Sequence, residues 1–185
     1  MTAPSTPRPL RADAARNRQA LVDAAYAAFR RDGVNTSLDD IATTAGVGSG
    51  TLYRHFATRD ALVAAVIEEQ MVALLELGTA LLEVDPPIEA VERWLTAYID
   101  QAGTIDGLAG TLLGPRAKAP SCDAAHEAGI ALIERAIRAG DLHAGTVAQD
   151  LVDLALGIAM IGDYLPLEPA RSRRLLDLLL AGARR

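Results

Sequence analysis

Residues 36–63 read TSLDDIATTAGVGSGTLYRHFATRDALV. Ser37 stands just ahead of Asp39 and Asp40, which is how a helix begins: a hydroxyl accepts from the free backbone N–H groups, and carboxylates favour the positive end of the dipole. Leu38, Ile41, Ala42 and Ala45 then form one apolar face over two turns before Gly46 ends the helix. Leu52 and Phe56 recur at i, i+4 with Tyr53, Arg54 and His55 on the outer arc, so a second short helix follows, and Thr58 caps the next. Two short helices joined by a tight glycine turn, the second presenting tyrosine, arginine and histidine outward, form a helix-turn-helix. Such a helix fits the major groove of B-DNA, roughly 12 Å wide. Gly46 is expected to make the turn, and Gly48 and Gly50 to remove side chains where the backbone approaches DNA or the preceding helix. A phosphate-binding loop is excluded, since no Gly-Lys-Ser/Thr follows and no strand precedes.

Upstream, Leu21, Ala25 and Phe29, flanked by Val22 and Ala28, predict an amphipathic helix over 14–31 that stops at Gly33. The Pro/Ser/Thr-rich residues 1–11 read as a disordered arm, with residues 12–60 as one domain and 61–185 as another. Phe29, Leu38, Ile41, Val47, Leu52 and Phe56 are expected in the core of the first. Downstream, an apolar stripe from Leu62 through Met71, Leu74 and Leu75 to Leu81 predicts a long helix leading from one domain into the other. Asp85-Pro86-Pro87 punctuates the chain, and helices are expected over 88–103, 105–113, 121–139, 146–164 and 170–183. No stretch alternates convincingly as a strand, so the fold class is all-α.

The net charge of −6 argues against wrapping nucleic acid, but its distribution is uneven. Residues 1–60 carry eight arginines against six aspartates, whereas 61–185 carry ten basic against eighteen acidic side chains. Anion binding is therefore expected of the head. Cys122 is the only cysteine, so neither an internal disulfide nor a cysteine-based zinc cage can form. No apolar run reaches the ~20 residues that span a bilayer and the N-terminus has no signal-peptide core, so a cytoplasmic protein is expected. His55, His126 and His143 are scattered, and neither a Gly-x-Ser-x-Gly elbow nor a His-Glu-x-x-His pair occurs. No enzyme activity, cofactor or metal is expected.

From Arg18 to Val63 the sequence resembles the DNA-binding domain of the TetR family of bacterial transcriptional repressors, in its Ala-Ala-x-x-Ala-Phe helix, the Ala-Gly-Val turn and the Gly-Thr-Leu-Tyr-x-His-Phe segment. The resemblance implies an all-α homodimer: three N-terminal helices on a palindromic operator, and a helical C-terminal domain holding an effector pocket and the dimer interface. By position, Thr36, Thr51, Tyr53, His55 and Arg59 match the family's DNA-backbone contacts, and Ser49, Gly50 and Arg54 its base-reading positions. Arg18, Ser37 and Gly48 join the same expected surface, and Arg8 and Arg11 are candidates for an adjacent minor groove. Gly48 stands where the family often has serine, and Arg59 where it usually has lysine.

Residues 125–159, AHEAGIALIERAIRAGDLHAGTVAQDLVDLALGIA, resemble the C-terminal region of many members. A surplus of apolar positions suits a two-fold bundle, with Ala155, Ala159, Leu175, Leu176 and Leu179 as expected dimer contacts. Candidate pocket residues are Trp94, Tyr98, Leu108, Leu112, Cys122, His126, Ile130, Ile158 and Met160, whose apolar character points to a hydrophobic or aromatic effector. The i, i+4 pair Cys122 and His126 also has the spacing for a soft metal or a reactive thiol, although a core or pocket wall is the simpler reading. The competing function is a helical small-molecule-binding protein without operator-specific DNA binding, against which the joint presence of Tyr53, Arg54, His55 and Arg59 argues.

Overall fold

The computed structural model describes residues 8–103, 120–165 and 169–184. The described residues form eight helices: α1 Arg8–Asp32, α2 Leu38–Thr44, α3 Ser49–His55, α4 Arg59–Leu81, α5 Pro87–Gly103, α6 Pro120–Ala139, α7 Ala148–Tyr164 and α8 Pro169–Ala183. The predicted helix over 105–113 lies outside the described residues. Packing divides the chain into two units between Val66 and Ile67, inside α4 and six residues beyond the expected boundary.

In the first unit α1 starts at Arg8, six residues earlier than predicted, so residues 8–11 are helical rather than part of an arm. Proline is tolerated in a first turn, whose N–H groups have no intrahelical partner, and Pro9 sits there. Leu21, Val22, Ala25 and Phe29 of α1 are buried in this unit together with Ile41 and Ala42 of α2, Leu52 of α3, Phe56, and Leu62 and Val66 of α4. Leu38 and Val47, expected in this core, are half-buried at its edge.

Two glycines set the chain's path here. Gly33, at φ 75°, ends α1, and Gly46, at φ 70°, ends α2. At Gly46 the N–H bonds Thr43 O at 3.0 Å while Val47 N–H bonds Ala42 O at 3.0 Å. This paired closure satisfies carbonyls that the helix end would leave free, and only glycine adopts the left-handed residue without strain.

The second unit is built around α5, which packs against α6, α7 and α8. Trp94 lies at its centre. A Cβ at Gly129 would overlap the six-membered ring of Trp94, and one at Gly78 would lie 2.9 Å from Ala128 Cβ and 3.1 Å from the indole nitrogen. Those glycines are thus the space that the indole fills. The indole N–H donates to Leu74 O at 3.3 Å, which satisfies its polar atom in the core. Arg135 of α6 reaches Val84 O at 2.6 Å and the Asp85 carboxylate at 2.5 Å, closing the α4–α5 turn. No described helix is long and apolar enough to cross a membrane.

Candidate nucleic-acid interface and ligand site

α3 is short and one-sided. Its inward residue, Leu52, is buried in the first unit's core, while Tyr53 on the opposite arc is 51% exposed. Arg54 is also exposed and lies back along its own helix: Nε donates to Gly50 O at 3.1 Å and Nη2 to Thr51 Oγ1 at 3.0 Å. Both bonds lie at the surface, so water can replace them and the guanidinium can swing outward at small cost. His55 is half-buried, its ring 6.4 Å from that of Phe56. Arg18 stacks over the other side of the site, its guanidinium carbon 5.4 Å from the Phe56 ring centroid.

The N-terminus of α3 is open. Gly48 is its N-cap and supplies no side-chain bond, consistent with the loss of a serine hydroxyl at this position. A Cβ at Gly48 or Gly50 would meet nothing within 4 Å. These glycines therefore make no room for the preceding helix, which corrects half of the sequence expectation.

Two further residues expected on this surface are engaged inside the fold. Ser37 caps α2, its Oγ accepting from Asp40 N–H at 3.3 Å. Arg59 Nη1 donates to Val34 O at 2.9 Å and to Thr36 O at 2.5 Å. Ser49 is exposed, and Thr36 and Thr51 are half-buried.

In the second unit the expected pocket residues are mostly packed. Trp94 and Tyr98 stack with centroids 5.3 Å apart, and the Tyr98 ring meets that of His126 edge-on at 5.5 Å. Nδ1 of His126 lies 2.7 Å from the Cys122 carbonyl, which only accepts, so Nδ1 carries the proton and Nε2 accepts from the Tyr98 hydroxyl at 2.9 Å. Both ring nitrogens are occupied, and the contact to Cys122 is through its backbone. The soft-metal alternative loses its imidazole ligand. Among the described residues, no three His, Cys, Asp or Glu side chains converge as a metal site would need. Ile158 is buried, Ile130 and Met160 are half-buried, and Leu108 and Leu112 lie outside the described residues.

A hollow of about 240 Å³ opens instead between α5 and α8, lined by Thr96, Ile99, Asp100, Ser172, Arg173 and Leu176. None of the described residues expected to line a pocket borders it. Burial holds the Asp100 carboxyl above its ordinary range, and Arg173 pulls in the opposite direction. The periodicity of α8 carried no hint of this hollow, because it arises where two helix faces fail to meet.

The expected dimer contacts also need correction. Ala155, Ala159 and Leu176 are buried within the chain itself and offer no surface to a second copy. The small residues of α7 serve close approach to α5: a Cβ at Gly103 would lie 3.6 Å from the Ala159 backbone. Leu175 and Leu179 are half-buried. Exposed apolar side chains around α7 and α8 include Val147 (56%), Leu154 (53%) and Leu178 (70%). All three border a groove of about 460 Å³ between α7 and α8, with Leu151, Leu179 and Gly182.

Comparison with known proteins places both units. Residues 21–66 match the family model described as bacterial regulatory proteins, tetR family, and residues 86–185 the model described as transcriptional regulator SbtR-like, C-terminal domain. A TetR transcriptional regulator of Streptomyces coelicolor is similar in structure, with TM-score 0.71 and 34% identity over 90% of this chain and 98% of that one. A TetR transcription regulatory protein of Mycobacterium vanbaalenii gives TM-score 0.70 and 33% identity over 96% and 100%. An HTH-type transcriptional regulator of Staphylococcus aureus is 41% identical over 63 residues, which is 34% of each chain. The match thus spans about a third of the length of such curated relatives.

Proposed function

The chain belongs to the TetR family of bacterial regulatory proteins, and from that premise we propose that it is a homodimeric transcriptional repressor, held on a palindromic operator by α3 and released by a small effector bound in the second unit. The observation that carries the DNA-binding part is the two-sidedness of α3. Leu52 anchors it inward while Tyr53, Arg54 and the unobstructed backbone at Gly48 and Gly50 face outward. A helix held this way by its inner face can enter a major groove without unfolding any part of its unit.

The exposed Val147, Leu154 and Leu178 are the surface by which a second copy would pair, since pairing buries apolar area that the single chain leaves in water. The hollow beside Asp100 and Arg173, with Ile99 and Leu176 as its apolar wall, supports an effector that is largely apolar and carries a polar group. α4 contributes residues to both units, so it is the element through which a ligand in the second would be felt at Thr58 and Arg59. An effector that lowers operator affinity a hundredfold must prefer the non-binding arrangement by about 2.7 kcal/mol, and the operator must weaken the effector by the same factor.

Selection of random-sequence duplexes on the full chain tests the reading. The expected outcome is a palindrome whose half-sites lie about 34–36 Å apart, bound with strong salt dependence. Recovery of no preferred duplex would instead favour a small-molecule-binding protein that does not read DNA.

A further inference from the structure

Four of the five carbonyls in the turn between α1 and α2, Gly33 to Ser37, accept hydrogen bonds within the unit. Gly33 O accepts from Thr36 N–H at 3.3 Å, and Ser37 O from Ile41 N–H at 3.2 Å. The carbonyls of Val34 and Thr36 accept instead from a single nitrogen of Arg59, at 2.9 and 2.5 Å. That nitrogen comes from the first residue of α4, more than twenty positions away in the chain. Arg59 is half-buried there, and Thr58 beside it caps α4 by accepting from Ala61 N–H at 3.1 Å. The first turn of α4 is thereby tied to the segment that starts α2.

We infer that Arg59 is a positioning residue, latching the first turn of α4 to the α1–α2 turn rather than neutralising an operator phosphate. The inference rests on the operator-binding reading of the first unit. A charged donor shared between two carbonyls is stronger than either neutral bond alone. α2 is only seven residues long and starts immediately after the latched turn, so its N-terminal end has few other restraints. Losing the latch would loosen the helix that supports α3 while leaving the buried core of Leu21, Ile41 and Leu52 intact.

The test compares Arg59→Ala, Arg59→Gln and Arg59→Lys in the full chain, each first shown to be folded by circular dichroism. The DNA probe is the duplex selected by the unaltered protein. For Ala and Gln the expected result is an affinity about tenfold lower, an unchanged slope of log affinity against log salt, and faster amide hydrogen exchange of residues 33–37 in DNA-free protein. Lys, which keeps a donor at the site, should fall between them and the unaltered chain. A slope reduced by about one unit would show a phosphate clamp and overturn the inference, as would unchanged exchange or unchanged affinity. If the unaltered chain selects no duplex, the repressor reading fails by itself, and the exchange measurement alone decides the latch.

Discussion

The Tyr98 hydroxyl lies 2.9 Å from Nε2 of His126, joining α5 to α6 through an imidazole whose other nitrogen is held by the Cys122 carbonyl. Tyr98 is 1% exposed. Its partner His126 is half-buried, so water can recover part of the bond if the hydroxyl is removed.

Tyr98→Phe should cost about 0.5–1.5 kcal/mol, the net worth of one hydrogen bond to a half-buried acceptor. Burial, then the nearby Asp153 and Cys122, pushes the phenol above its ordinary 10.0. Above pH 10 the unfolded chain then binds fewer protons than the folded one, so this contribution is complete below about pH 10 and is lost progressively as pH rises from there toward the raised value of the folded chain. Urea midpoints measured between about pH 9 and 11 should fall more steeply for the unaltered chain than for the Phe variant.

Gly129→Ala should destabilise the second unit by about 1–3 kcal/mol or more, because the added methyl overlaps the Trp94 ring. Gly78→Ala meets a softer contact and should cost less. In a double-mutant cycle with Trp94→Phe, the Gly129→Ala penalty should shrink by about 1 kcal/mol or more; strict additivity would show that the two do not share the same space.

Leu178→Glu and Leu154→Glu place charge on side chains that are already exposed in the single chain. Both variants should remain folded, sediment as monomers and lose high-affinity operator binding. Leu176→Glu differs, because that side chain is buried within the chain, and it should unfold the second unit. A dimer that survives Leu178→Glu and Leu154→Glu together would place the interface elsewhere.

Arg54→Ala should relax preference at one base pair of each half-site, at a cost of about 1–3 kcal/mol if the guanidinium pairs bidentately with guanine. Tyr53→Phe should weaken binding to all sequences alike, since a hydroxyl on the DNA backbone carries no base information. Selection repeated on each variant separates the two. A uniform loss for Arg54→Ala would make it a backbone contact.

The sequence by itself determined the helix-turn-helix and the family: Ser37 at a cap, Gly33 and Gly46 at left-handed stops, and Leu52 and Phe56 on one face are local signals, set by backbone chemistry within a few residues. The outward arc of α3 was legible for the same reason, since a seven-residue helix with one buried leucine has only one other side. Distant partners decided the rest. Ala155 and Ala159 read as contacts to a second copy, and only the packed α5–α7 pair assigns them to the interior. Trp94 read as a pocket wall until Gly78 and Gly129, sixteen positions before it and thirty-five after, proved to be the space that it fills. Arg59 carried a charge suited to phosphate, but whether a guanidinium meets an anion or two carbonyls depends on which backbone the fold brings within 3 Å, and that is not written in its neighbours.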